Sequence, residues 1–289
     1  MNATTLVSTA ALAEPIATGD PDLVVVDCRF SLDDVAWGER AYREAHIPGA
    51  RYAQLDRDLS GEKSGQNGRH PLPRPADLER TLAALGIDGS RQVVAYDQDA
   101  GMFASRLWWL LRWAGHSRVA VLDGGFAKWV RESRPLRAGI ESPAVSAPFV
   151  GRFDDSLRVD AATIEQMLNH SQTVLVDARA PERFRGDIEP IDAVAGHIPG
   201  AVNHPYQQNV DEAGVFLSPA TLGEAFRRSL GGHPPEQAVT YCGSGVTACQ
   251  NLLAMEHAGL SGGRLYPGSW SEWASDPRRP VERGSRDPQ

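Results

Sequence analysis

The sequence predicts an α/β protein in which one unit, a mainly parallel sheet with helices on both faces, is written twice. Three observations lead there. Short β-prone runs alternate with amphipathic segments along the 289 residues, the pattern of parallel strands joined by helical crossovers. The pentapeptide His-Ile-Pro-Gly-Ala occurs at 46–50 and again at 197–201, each time after an Asp-x-Arg; the Asp-to-His separation is 19 residues in one half and 20 in the other. Finally, Val239-Thr240-Tyr241 leads into Cys242, a small loop bracketed by Gly243 and Gly245, and an apolar-periodic segment ending at Gly259, which reads as strand, loop and helix.

Taken in order, Ser8 starts a short helix-like stretch to Ala13, and Leu23 to Arg29 is a buried-strand run closed by a charged pair. The first pentapeptide follows, then a polar, Gly-rich segment from Asp56 to Arg74 that reads as a long surface loop of the first copy. Pro75 to Leu85 has helical period, Val93 to Asp97 is strand-like, and Val119 to Trp129 contains Leu122-Asp123-Gly124-Gly125-Phe126. The second copy repeats this plan with Val174 to Arg179, the second pentapeptide, Pro219 to Leu230, Val239 to Cys242, and Leu265 to Trp270. Trp273 matches Trp129, Pro280 matches Pro135, and Asp97 occupies the place of Cys242.

The expected division is a non-catalytic domain over 1–138, a linker over 139–157, whose Pro-, Ser- and Ala-rich start lacks periodicity, and a catalytic domain over 158–289. The residues from Glu282 onward read as a frayed tail. With a nucleophile in one copy only, a division of labour is expected in which the other copy builds a wall of a shared cleft. Two independent modules are the alternative.

Composition narrows the function classes. A net charge of −8 with no basic run argues against a nucleic-acid partner. No apolar run approaches membrane-span length, and the N-terminus lacks the basic region of a secretory signal. The three cysteines, Cys28, Cys242 and Cys249, form no disulfide framework or zinc spacing, so a reducing, cytoplasmic location and no metal are expected.

A lone cysteine is more often a buried, inert residue. What sets Cys242 apart is its loop. Gly243 and Gly245 tolerate close backbone approach, Ser244 and Thr247 offer hydroxyls, and amides of a tight loop at a helix N-terminus favour a thiolate.

These residues resemble the rhodanese superfamily, and the chain is similar to its tandem-domain sulfurtransferases from about Leu6 to Pro280. The resemblance rests on the two His-Ile-Pro-Gly-Ala motifs, on Leu122 to Trp129, and on Cys242-Gly243-Ser244-Gly245-Val246-Thr247-Ala248. It implies two tandem rhodanese-like domains, the second forming a persulfide on Cys242 and the first silent, with Asp97 at the matching place. The loop is similar to that of the 3-mercaptopyruvate branch, not to the Cys-Arg-Lys-Gly loop of thiosulfate-type members; two fewer cations disfavour a dianionic donor.

The resemblance further implies that Arg183 binds the donor's carboxylate by two parallel hydrogen bonds, that Gly243, Gly245, Val246 and Thr247 form the substrate-binding loop, and that Ser244 relays a proton from His46. A second reading of His46, as a turn residue satisfying backbone groups like His197, stays open, and no acid aligns cleanly upstream of it. The family's second arginine after a Pro-Glu-Pro-like turn is absent, since Glu189-Pro190-Ile191-Asp192 continues without one.

The implied reaction moves a sulfur from a small-molecule donor, 3-mercaptopyruvate, through Cys242 to a thiol acceptor (thioredoxin-like or small) or cyanide, with no cofactor. Thiosulfate is the alternative donor. Phosphatase-type chemistry would need an arginine where Ala248 stands, and a redox or sulfur-carrier module would pair Cys242 with Cys249.

Overall fold

The computed structural model describes residues 1–142, 147–168 and 172–284. The chain forms two compact units: unit 1 is 1–61, 72–154 and 211–216, and unit 2 is 62–71, 155–210 and 217–289.

Unit 1 runs β1 (Leu6–Val7), α1 (Thr9–Thr18), β2 (Leu23–Asp27), α2 (Trp37–Glu44), β3 (Arg51–Tyr52), α3 (Leu55–Asp58), α4 (Pro75–Ala84), β4 (Gln92–Tyr96), α5 (Ala104–Trp113), β5 (Val119–Leu122) and α6 (Gly125–Arg131). Its sheet has the order β1-β5-β4-β2-β3, every pair parallel. Val25, Val94, Tyr96, Ala120 and Leu122 share a core with Leu12 of α1 and Trp129 of α6. Their strand neighbours Val24, Val26, Val93, Ala95 and Val121 are buried as well. Both alternating sets are therefore covered, which is why these strands read as continuous apolar runs.

Unit 2 runs α7 (Ala161–Met167), β6 (Val174–Asp177), α8 (Pro181–Arg185), β7 (Val202–Asn203), α9 (Pro219–Ser229), β8 (Ala238–Tyr241), α10 (Thr247–His257), β9 (Arg264–Leu265) and α11 (Ser269–Trp273). The order β7-β6-β8-β9 is again all parallel and matches β3-β2-β4-β5. Leu175, Val239 and Tyr241 pack with Ile164, Phe184, Trp270 and Trp273.

The duplication extends to single hydrogen bonds. Arg29 is bound to Asp27 and to the Ala45 carbonyl, and Arg179 to Asp177 and to the Gly196 carbonyl. Tyr96 Oη accepts from the Ile47 amide and Tyr241 Oη from the Ile198 amide. The indole of Trp129 donates to Pro135 and that of Trp273 to Pro280. Each Asp-x-Arg pair is thus a buried brace at a strand end, sealed by the tyrosine of the next strand.

Three expectations are corrected here. The stretch 147–154 is part of unit 1: the Arg152 and Asp154 amides donate to Ala114 and Trp113, and Phe153 packs edge-on against Trp113. Only the single-turn 155–157 segment of the expected linker falls in unit 2, and 143–146 lie outside the described residues. The Glu282 backbone pairs in both directions with His197, so the chain is held through Gly284, and 285–289 lie outside the described residues. Third, the segment assigned to a surface loop of the first copy contributes 62–71 to unit 2, with His70 buried.

Candidate active site

Cys242 follows β8 directly and Thr247 opens α10, so the loop 242–246 sits where parallel α/β sheets place their sites, beyond the carboxyl end of a strand. The loop is fastened to the start of α11. Cys242 N donates to Ser269 Oγ (3.1 Å), while Trp270 N and Ser271 N donate to the carbonyls of Cys242 and Gly243. Gly245 has φ +75°, and a Cβ there would run into the Pro267 carbonyl. That conformation turns the Gly245 amide to donate to Cys242 Sγ at 3.1 Å.

Ser218 and Asp160 cap α9 and α7 with their side chains, whereas no side chain caps α10. Its positive end faces the sulfur's loop, suited to an anion. Cys242 is 2% exposed. Val246 accepts from Cys249 N, and Cys249 Sγ donates to the Gly245 carbonyl (3.3 Å). Cys249 thus packs as part of the loop's support.

Ser244 Oγ lies 2.7 Å from His70 Nδ1, both side chains buried. The partner expected from the sequence, His46, is engaged elsewhere. It is fully buried in unit 1, its Nδ1 facing the Tyr42 carbonyl (2.7 Å) and its Nε2 lying 3.6 Å from Glu141, with its ring stacked on Tyr42. His197 repeats this arrangement with the Phe184 carbonyl, Glu282 and the Phe184 ring. The pentapeptide histidines therefore lock turns to their own units, and the serine's partner is His70.

Arg183 is gripped by Glu189 (2.6 Å) and Asp192 (3.3 Å). Asp192 also pairs with Arg69, from the same short segment as His70. Burial pushes the Asp192 carboxyl up despite the guanidinium charges of Arg69, Arg183 and Arg179. Both arginines border the loop: a Cβ on Gly243 would stand 2.8 Å from Arg69 Nη2 and 3.7 Å from the Nη atoms of Arg183. Arg179 instead stacks over Trp270 and braces Asp177 and Glu189.

Asp97 stands at the position matching Cys242. Its carboxylate accepts from the amides of Gly101 (3.0 Å), Phe103 (2.6 Å) and Ala104 (3.0 Å) at the start of α5. Burial raises it to about 6 while those amides pull it down. A set of amides at a helix start is thus filled here by the protein's own carboxylate. Cys28 is buried nearby in sequence to Asp27, and desolvation with the Asp27 charge pushes its thiol up, so it stays a thiol.

Arg69, His70 and Asp192 escaped the sequence reading. The signal that could have found the first two is the repeat itself, because the connection between β3 and α4 (53–74) is longer than its counterpart between β7 and α9 (204–218). Among the described residues no His, Cys, Asp and Glu group could hold a metal, and no helix is long and apolar enough to cross a membrane.

A duplicated parallel α/β unit with a cysteine-centred anion loop in one copy defines the class: the chain belongs to the rhodanese-like domain family, matched over 8–132 and 160–276. It is a tandem sulfurtransferase of that family. A Pseudomonas aeruginosa protein named "Probable 3-mercaptopyruvate sulfurtransferase" is 51% identical over 92% of this chain and 94% of its own length. A Mycobacterium tuberculosis protein named "Putative thiosulfate sulfurtransferase SseB" is 40% identical over 97% of each. The solved structure of the 3-mercaptopyruvate enzyme SseA from Escherichia coli superposes with a TM-score of 0.79 at 30% identity, over 93% of this chain and 99% of that one.

Proposed function

We propose that the protein is a 3-mercaptopyruvate sulfurtransferase acting through a persulfide on Cys242. The observation that carries this is the meeting, at one loop, of a cysteine sulfur held by the Gly245 amide, a Ser244–His70 pair and the Arg183 guanidinium. Arg183 binds the donor's carboxylate, and the Gly243 to Thr247 loop encloses its sulfur. The Cys242 thiolate attacks that sulfur, forming the S–S bond as the C–S bond breaks. The C–S electron pair stays on carbon as the enolate of pyruvate, which takes a proton relayed by Ser244 from His70. An acceptor thiol (thioredoxin-like or small) or cyanide then removes the outer sulfur and restores the thiolate. Asp97 supports the second half of the scheme: an anion at the matching place draws the amides of a helix start, as the persulfide's outer sulfur would.

One observation favours thiosulfate as a second donor: two guanidinium groups, not one, border Gly243, and a dianion benefits from both. Intact mass after mixing with each donor, and steady-state rates with each, decide between them. A gain of one sulfur that is lost in Cys242→Ser is expected; its absence with 3-mercaptopyruvate would overturn the donor assignment. Three buried cysteines without a disulfide fit a reducing compartment, the cytosol.

A further inference from the structure

We infer that Arg69 is a donor-binding residue that forms, with Arg183, a two-guanidinium grip on the donor's anionic group, and that Asp192 is the positioning residue that holds it there. This rests on the proposed sulfur-transfer reading and adds to it a residue from outside the chain segment that holds the rest of unit 2.

The argument is geometric. Arg69 is fixed at its backbone, where its amide donates to Ser271 Oγ (3.0 Å), and the Ser271 amide in turn holds the Gly243 carbonyl. Its guanidinium is fixed by Asp192, which is 8% exposed in its side chain and reaches Arg183 as well. One carboxylate thus ties two cations together, and both face the residue next to Cys242. A structural brace would satisfy its donors internally, as Arg179 does with Asp177, Glu189 and the Gly196 carbonyl. Arg69 differs: its side chain keeps 26% exposure beside Gly243. Asp192 holds Arg69 through Nη1, which leaves Nη2, the atom facing Gly243, for an entering carboxylate without displacing Asp192.

Steady-state kinetics of Arg69→Gln, Arg69→Lys and Asp192→Asn test this, with melting temperatures recorded for each. Loss of one charge-assisted contact predicts a KM for 3-mercaptopyruvate raised about 10-fold or more in Arg69→Gln, with kcat held within about 3-fold. Arg69→Lys recovers part of that loss, and Asp192→Asn shows a smaller rise because the cation is present but untethered. Gly243→Ala, whose Cβ would displace the Arg69 guanidinium, raises KM in the same direction and serves if Arg69→Gln does not fold. A KM within about 2-fold of wild type in both Arg69→Gln and Gly243→Ala, or a loss confined to kcat, overturns the inference. Should the wild type fail to use 3-mercaptopyruvate, the donor assignment falls. The same KM criterion is then applied with thiosulfate, where an unchanged value overturns the role of Arg69 independently.

Discussion

Replacing Gly245 by alanine tests the central feature of the site. At φ +75° an L-residue pays about 1–2 kcal/mol for the left-handed conformation. The new Cβ would also press into the Pro267 carbonyl, which is backbone and cannot rotate aside. The loop must then shift, and the Gly245 amide leaves the Cys242 sulfur. A hydrogen bond to a charged group is worth roughly 1.5–3 kcal/mol, or about 10- to 100-fold in rate where the reacting sulfur depends on it. Two assays read this separately: kcat/KM with the donor, and the yield of the sulfur-loaded protein by intact mass, which should fall as the sulfur loses its donor. A variant with kcat/KM within about twofold of wild type and an unchanged yield would show that this amide does not support the sulfur.

Other outcomes follow from the same structure. Because burial lifts the Asp97 carboxyl to about 6, the folded protein holds that proton more tightly than the unfolded chain, whose carboxyl titrates near 3.9. Its contribution is therefore fully favourable below about pH 4 and falls by about 3 kcal/mol as pH rises through 6; chemical denaturation should show Asp97→Asn gaining on wild type over that window, and parallel pH profiles would refute it. Arg179→Ala strands the fully buried Asp177 and should cost about 3–5 kcal/mol, read as a lowered denaturation midpoint. His70→Gln should lower kcat by about 10² or more by breaking the Ser244 relay, whereas His46→Gln should lower the melting temperature while kcat stays near wild type; the reverse pattern would restore His46 to the relay.

The sequence alone carried the duplicated α/β plan, because it is written in local pattern, and it is what puts Cys242 and Arg183 forward as nucleophile and carboxylate-binding residue. Strands covered on both faces must be apolar throughout, and a tight loop around an anion must be built of glycines and small hydroxyl residues. What only the tertiary structure decided is which side chains from far along the chain meet that loop. His46 carried the conspicuous motif, but its Nδ1 is bound to the Tyr42 carbonyl and its ring stacks on Tyr42, as its duplicate His197 binds the Phe184 carbonyl and stacks on Phe184. The histidine at Ser244 and the second arginine beside Gly243 come instead from a polar stretch with no periodicity. Long-range polar pairing depends on where a loop lands and not on its local composition, so only the extra length of this connection in the first copy marks it. The ends of the linker and of the chain were misread for the same reason: Arg152, Asp154 and Glu282 are ordered by backbone hydrogen bonds to residues far away in sequence, which composition does not encode.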